Sequence, residues 1–238
     1  MDAPRTARAR IRAELTREIK DEARRQLAAE GAPALSLRAV ARQLGMVSSA
    51  LYRYFASRDD LLTALIVDAY DAIGAAAEVA DTSCPRDDFA GRWLAAGRGV
   101  RSWAIEHPHE YALVYGSPVP GYRAPEETVA PASRVTLVLC SIVAETNSSG
   151  RLEPPSDLPP LTTALRREAE RIADAAMVGV PEHVVVRALV AWTQLFGMVS
   201  FELFGHFVNV VDDNEAFFDQ ALRLIGSFVG LPGLTDRP

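Results

Sequence analysis

The stretch LSLRAVARQLGMVSSALYRYFASRDDLLTAL, Leu35 to Leu65, decides the fold. Within it Leu37, Val40, Ala41 and Leu44 recur at the spacing of one helical face, with Ser36 placed to cap that helix and Gly45 to end it. After the tight turn Gly45-Met46-Val47, a second short helix is predicted from Ser48 to Phe55, with Leu51 and Phe55 on its inner face. Ser57 then caps a fourth helix, with Asp60 as its capping-box partner, carrying Leu61, Leu62, Leu65, Ile66, Ala69, Tyr70 and Ile73. Upstream, Ile11, Leu15, Ile19, Ala23 and Leu27 step by four, which predicts a helix from Ile11 to Glu30, stopped by Gly31 and Pro33. Two short helices about a tight turn, behind a longer one, have helix-turn-helix geometry: the second enters a major groove while the first crosses the backbone. The outward face of the second holds Ser48, Ser49, Ala50, Tyr52, Arg53 and Tyr54. Hydroxyls and a guanidinium suit phosphates and base edges, and the Ala50 methyl suits a thymine methyl. A helical hairpin with a polar surface has the same pattern.

Charge is distributed to match. Residues 1–58 carry 12 basic and 6 acidic side chains, whereas residues 59–238 carry 13 basic and 25 acidic, for a net −6 over 238 residues. A basic head on an acidic body is the footprint of a phosphate-seeking segment, although a solvated helical face gives the same count. With 49% hydrophobic and 24% charged residues the chain has the composition of a folded protein. The most apolar stretch, Val184 to Val211, is interrupted by Arg187, Gln194, Glu202 and His206, so no membrane span is expected. No secretory h-region follows Met1 to Arg12, and Cys84 and Cys140 read as reduced thiols, so the expected location is cytoplasmic.

Beyond Ala80 the period of 3.6 persists, and the fold class is all-α. Helices are predicted over 87–106, 126–146, 161–178, 181–207 and 214–229, with loops at 116–125 and 146–160. His107-Pro108 breaks the chain between the first of these and the loop. The first eight or nine residues and the end after Leu231 are expected to be mobile.

Residues Leu35 to Leu65 resemble the DNA-binding signature of the tetracycline-repressor (TetR) family. The matching positions are Val40, Ala41, Gly45, Leu51, Tyr52, Phe55, Ser57, Arg58, Asp59 and Leu61, with Ser36 for the family's Thr and Tyr54 for its commoner His. The resemblance implies a helix-turn-helix head at residues 1–57 and a ligand-binding and dimerisation bundle at 58–238. It also implies roles: Ser36, Arg38 and Arg58 on phosphates, Tyr52 and Tyr54 against the sugar-phosphate backbone, and Ser48, Ser49, Ala50 and Arg53 facing base edges.

In the body, Val185, Leu189, Trp192, Phe196, Val199 and Leu203 are spaced as a heptad seam, and the last helix adds Phe217, Phe218, Ala221, Leu222, Ile225 and Phe228. Few body layers are available to bury both stripes, which favours a homodimer over a single chain packing on itself. The expected interface is Leu189, Phe196, Val199, Leu203, Phe207, Phe218, Leu222 and Ile225. The segments His107 to Tyr122 and Ala191 to Phe207 resemble the C-terminal domain of a TetR subgroup marked by a Trp-His-Gly motif, of which Trp192 and Gly197 remain and Phe196 replaces the histidine. Trp93, Trp103, His107, Tyr111, Tyr115, Met177 and Trp192 are the candidate lining of a cavity for a small hydrophobic effector.

No catalytic constellation, phosphate loop or cofactor motif is present in the sequence, and Glu202 with His206 lacks the rest of a metal-ligand set. The expectation is a homodimeric regulator, a repressor, that binds a palindromic double-stranded operator and leaves it when the effector enters the body. A small all-α carrier or enzyme whose N-terminal helices bind no DNA is the alternative.

Overall fold

Ten α-helices and two single 3-10 turns make up the regular structure among the described residues, 3–155 and 159–234, of the computed structural model, and no strand occurs there. The helices are α1 (Ala3–Glu30), α2 (Leu37–Gln43), α3 (Ser48–Leu51), α4 (Arg58–Thr82), α5 (Phe89–Glu106), α6 (Pro108–Tyr115), α7 (Val129–Ser148), α8 (Thr163–Ala176), α9 (Glu182–Leu203) and α10 (Asn214–Val229).

The short-range signals act as their chemistry predicts. Ser36 Oγ accepts from the Ala39 N–H at the start of α2, Ser57 Oγ from Asp60 at α4, Thr162 from Leu165 at α8, and Asp213 from Ala216 at α10. Gly45 takes φ +65°, a left-handed value that lets the chain turn between α2 and α3.

Several boundaries differ from the periodic reading. α1 begins at Ala3 rather than Ile11, because the Ala/Arg-rich segment before the stripe favours helix with nothing to interrupt it. α3 is one turn long and ends at Leu51 rather than Phe55. The next residues tighten into i→i+3 turns, Arg53 N to Ala50 O at 3.2 Å and Tyr54 N to Leu51 O at 2.8 Å. α4 continues past Ile73 to Thr82. Gly74 does not stop it; a Cβ there would lie 2.6 Å from the Arg134 Cβ, so glycine serves a close approach of α4 to α7. α9 ends at Leu203, four residues short of Phe207, and Gly205 and Asn209 take positive φ in the turns that follow. The tail is anchored beyond Leu231, since Leu231 and Leu234 are both buried. Residues 1–2, 156–158 and 235–238, at the ends and in the 146–160 loop, lie outside the described residues.

Two compact units result. The first comprises the chain up to Tyr70 together with His107–Val129. Its core joins Ile19, Ala23 and Leu27 of α1, Leu37, Val40 and Ala41 of α2, Leu51, Phe55 and Leu61, Leu62 and Leu65 of α4. Leu113, Val114, Val119 and Tyr122 pack against it, so the boundary expected at residue 57 falls inside this unit.

The second unit comprises Asp71–Glu106 and the chain from Ala130 onward. Its core contains Trp93, Val100, Val135, Ile142, Val184, Val185, Leu195, Val199, Phe218, Leu222 and Val229. Helices α7 and α9 are apolar and long enough to cross a membrane, and one face of each, including Val135, Ile142, Val184 and Leu195, is buried in this core. The fully buried Arg92 is neutralised by Asp81 (Nε to Oδ1, 2.7 Å) and Glu145 (Nη1 to Oε2, 2.8 Å).

Candidate nucleic-acid interface

Leu51 has no exposed surface and anchors α3 to the head core, which turns the rest of that helix outward. Ser48, Ser49, Tyr52 and Arg53 are exposed, Tyr52 by 45%, and Ala50 is half-buried. Arg38, in the first turn of α2, is also exposed. These are the side chains a groove-entering element offers to phosphates and base edges. Ser36 is half-buried, with its hydroxyl already engaged as the α2 cap.

Two assignments read differently in three dimensions. Tyr54 is half-buried; its ring packs on the head core and carries the Arg12 guanidinium 5.1 Å from its centroid. Arg12 also donates from Nη2 to the Arg53 carbonyl at 3.2 Å, so α1 braces the turn that follows α3. Arg58 does not hold its guanidinium out as a phosphate ligand. Nε donates to the Leu35 carbonyl at 3.1 Å, Nη2 to Ala32 and Pro33 at 2.8 and 3.4 Å, and Nη1 faces Asp59 at 3.4 Å. Its donors thus go to carbonyls of the 3-10 turn at residues 32–34 and of Leu35 just after it, the Ala32 carbonyl accepting from the Leu35 N–H as well.

Sequence reasoning missed Arg12 as a positioning residue, although the run Arg5, Arg8, Arg10, Arg12 was its signal. Charge in this unit is unevenly paired. Lys20 and Arg24 are satisfied by Asp68, Asp21 and Glu110. Arg8, Arg10, Arg12, Arg17, Arg38, Arg42 and Arg53 are exposed and form no ion pair among the described residues. Positive charge is thus left for an external anion on α1, α2 and the turn after α3.

The seven cavity candidates divide between the units. In the first, Tyr111 is buried, its ring 5.0 Å from that of Tyr115, which in turn meets Tyr70 edge-on at 5.9 Å. Burial pushes the Tyr115 hydroxyl far above the ordinary tyrosine range, so it stays protonated. His107 occupies the N-cap position of α6 without a side-chain cap bond, and its Nδ1 lies 3.1 Å from Glu110. In the second unit, Trp93 is a core residue whose indole N–H donates to the Leu222 carbonyl at 3.0 Å. Trp103 and Met177 are buried, and Trp192 is half-buried with its ring 6.0 Å from Phe196.

The expected dimer seam needs correction. Phe196, Val199, Phe218 and Leu222 are buried within their own chain and unavailable to a partner, while Leu189, Leu203, Phe207 and Ile225 are half-buried. The heptad stripe on α9 is its core-facing side, and spacing alone does not distinguish a helix's inner apolar face from an outer one. The large apolar residues exposed on this pair of helices and the turn after α9 are Val190, Phe201, Phe204, Val208, Val210, Phe217 and Leu224. Glu202, once a conceivable metal ligand with His206, is bound at both oxygens by Arg101, at 2.6 and 2.8 Å.

Residues 19–65 match the model of the bacterial regulatory proteins of the tetR family, and residues 93–225 that of the tetracyclin repressor-like C-terminal domain. The HTH-type transcriptional regulator Rv1816 of Mycobacterium tuberculosis is 37% identical over 216 residues, covering 90% of this chain and 92% of the relative. Among solved structures, the regulatory protein SCO4313 superposes with a TM-score of 0.75 at 34% identity, covering 91% of this chain and 97% of that one. A tetR-family regulatory protein from Rhodococcus RHA1 shares the fold, with a TM-score of 0.61 at 17% identity over 92% of this chain and 98% of its own.

Proposed function

The chain belongs to the TetR family of DNA-binding transcriptional regulators, and from that premise we propose a homodimeric, cytoplasmic repressor that leaves a palindromic operator when a small hydrophobic effector occupies its body. The observation that carries the reading is the set of exposed arginines on α1, α2 and the turn after α3 that form no ion pair among the described residues, together with the exposed Ser48, Ser49 and Tyr52. In this reading Ser48, Ser49, Ala50 and Arg53 face base edges, Tyr52 lies on the sugar-phosphate backbone, and Arg38 contacts a phosphate. Residues 1–57 are the DNA-binding segment and 58–238 the regulatory body.

A second copy covers the exposed apolar residues Val190, Phe201, Phe204, Phe217 and Leu224 of α9, its C-cap and α10, the family's usual place of pairing. Two heads joined in this way read half-sites about 34–36 Å apart, one turn of B-DNA or a multiple of it. The effector meets aromatic groups of the second unit such as Trp103 and Trp192, and acts by preferring the arrangement of heads that does not fit DNA. α4 suits the relay, being one continuous helix whose residues up to Tyr70 belong to one compact unit and those from Asp71 to the other.

The test is to select bound fragments from the genome of origin and titrate the selected duplex at several salt concentrations. A palindromic site bound by a dimer, with affinity falling steeply as salt rises, supports the reading. Equal and weak affinity for every duplex overturns it.

A further inference from the structure

α1 is longer than the core it serves. Its buried core residues begin at Ile19; Leu15 is half-buried, and residues 8–14 are exposed throughout, Ile11 by 57%. The segment from Ala3 to Glu14 therefore runs as helix for about 18 Å without joining the head core. Packing does not hold such a helix, and intrinsic propensity alone holds one of this length only weakly. Its solvated surface carries Arg8, Arg10 and Arg12 against the single acid Glu14 over residues 8–14.

Arg12 sets the place of this segment. Its Nη2 donates to the Arg53 carbonyl at 3.2 Å, and its guanidinium lies 5.1 Å from the centre of the Tyr54 ring. Both partners belong to the turn that follows α3, directly after the exposed Tyr52. The face of α1 that carries Arg12 thus borders the element offered to the groove. Arg8 stands on that same face, four residues and about 6 Å nearer the N-terminus, and is exposed. Arg10 lies about 200° round the helix from Arg8, on the opposite face with Arg17.

We infer that the N-terminal half of α1 is a second DNA-contacting element: it lies along the duplex beside each half-site, with Arg8 on a phosphate outside the bases that α3 meets. Arg12 is the positioning residue that joins this arm to the turn after α3, so that the two dock together. α3 is one turn long and offers few side chains, and a phosphate contact beside it adds affinity without adding sequence preference. The inference rests on DNA binding by this chain and extends it to a surface, and a length of duplex, beyond the helix-turn-helix.

The test uses the full chain and the operator selected from the genome of origin, as two duplexes. One ends at the outer edges of the half-sites; the other continues at each end by about five base pairs of arbitrary sequence, the length of the arm at ~3.4 Å per pair. The longer duplex is expected to bind several-fold more tightly, with a slope of log K against log salt steeper by about one per protomer. Arg8→Ala should abolish both differences and leave the short duplex bound as by the parent. Arg10→Ala removes the same charge from the opposite face and should preserve both differences. Neither side chain holds the core, so both variants should melt with the parent. Arg12→Ala should also lose the length difference while keeping the parent's salt slope on the short duplex; a shallower slope there would make Arg12 a phosphate ligand and overturn its positioning role. Equal binding of the two duplexes by the parent, a length difference that survives Arg8→Ala, or equal effects of Arg8→Ala and Arg10→Ala overturns the inference and leaves the functional reading standing. Binding of neither duplex overturns both.

Discussion

Arg58 donates from Nε to the backbone carbonyl of Leu35 at 3.1 Å, tying the first residue of α4 to the segment that leads into α2. Two more carbonyls, of Ala32 and Pro33, accept from its Nη2. Arg58 therefore fixes the angle at which α2 and α3 leave the head core. Arg58→Ala should lower the stability of the chain by about 1–3 kcal/mol, the cost of orphaning hydrogen-bonded carbonyls beside a charged donor. The slope of log K against log salt for DNA should stay that of the parent. Arg58→Lys should not restore stability, because one ammonium cannot reproduce the fork. A shallower slope with unchanged Tm would return Arg58 to the phosphates.

For Arg53 and Tyr52 the expectation is the opposite. Both are exposed and neither holds the core, so Arg53→Ala and Tyr52→Ala should leave stability within about 0.5 kcal/mol of the parent. Arg53→Ala should lower affinity for the operator and relax base preference at the position it reads, with the salt slope close to that of the parent. A slope shallower by about one for each lost contact, doubled in a dimer, with base preference intact, would place Arg53 on a phosphate instead.

Local chemistry was legible in the sequence wherever a single residue decides a backbone feature. Ser36, Ser57 and Asp213 cap as a side-chain oxygen three residues before an open N–H must, and α10 spans Asn214–Val229 as its periodicity predicts. What periodicity cannot carry is which apolar face meets which partner. α9 is apolar on both sides: Val185, Leu195 and Val199 serve its own core, and Val190 and Phe201 lie on the outside. The Arg58 brace was illegible for a related reason. Its acceptors are carbonyls 23 to 26 residues away, and carbonyls have no sequence signature.

That two-faced helix gives a paired prediction. Phe201 is 52% and Leu224 61% exposed, whereas Phe218 is 2% exposed. Phe201→Glu and Leu224→Glu should yield folded monomers, since the carboxylate stays in water within each chain but is desolvated in the pair. Phe218→Glu should prevent folding altogether, at a cost of several kcal/mol against a total stability of about 5–15. Light scattering and circular dichroism separate the two outcomes. A folded dimer from both Phe201→Glu and Leu224→Glu places the interface on another face.

Two ion pairs set an acid limit on the second unit. Arg98 grips Asp219 with both ends of its fork, Nε to Oδ1 at 2.7 Å and Nη2 to Oδ2 at 2.6 Å, and Arg134 grips Glu78 at 2.8 and 2.6 Å. Hydrogen bonding from these guanidinium groups holds both carboxyls below their ordinary range. A carboxyl with a depressed folded pKa binds its proton more readily in the unfolded chain. Its stabilising effect is complete above the unfolded pKa, about pH 4, and is lost as pH falls through the folded value. Tm should therefore drop more steeply below about pH 5 in the parent than in Arg98→Met or Arg134→Met, whose freed carboxyls titrate nearly alike in both states. The difference should shrink in high salt, because both pairs are partly exposed and screened. Parallel Tm–pH curves for parent and variants would show that neither pair contributes to acid unfolding.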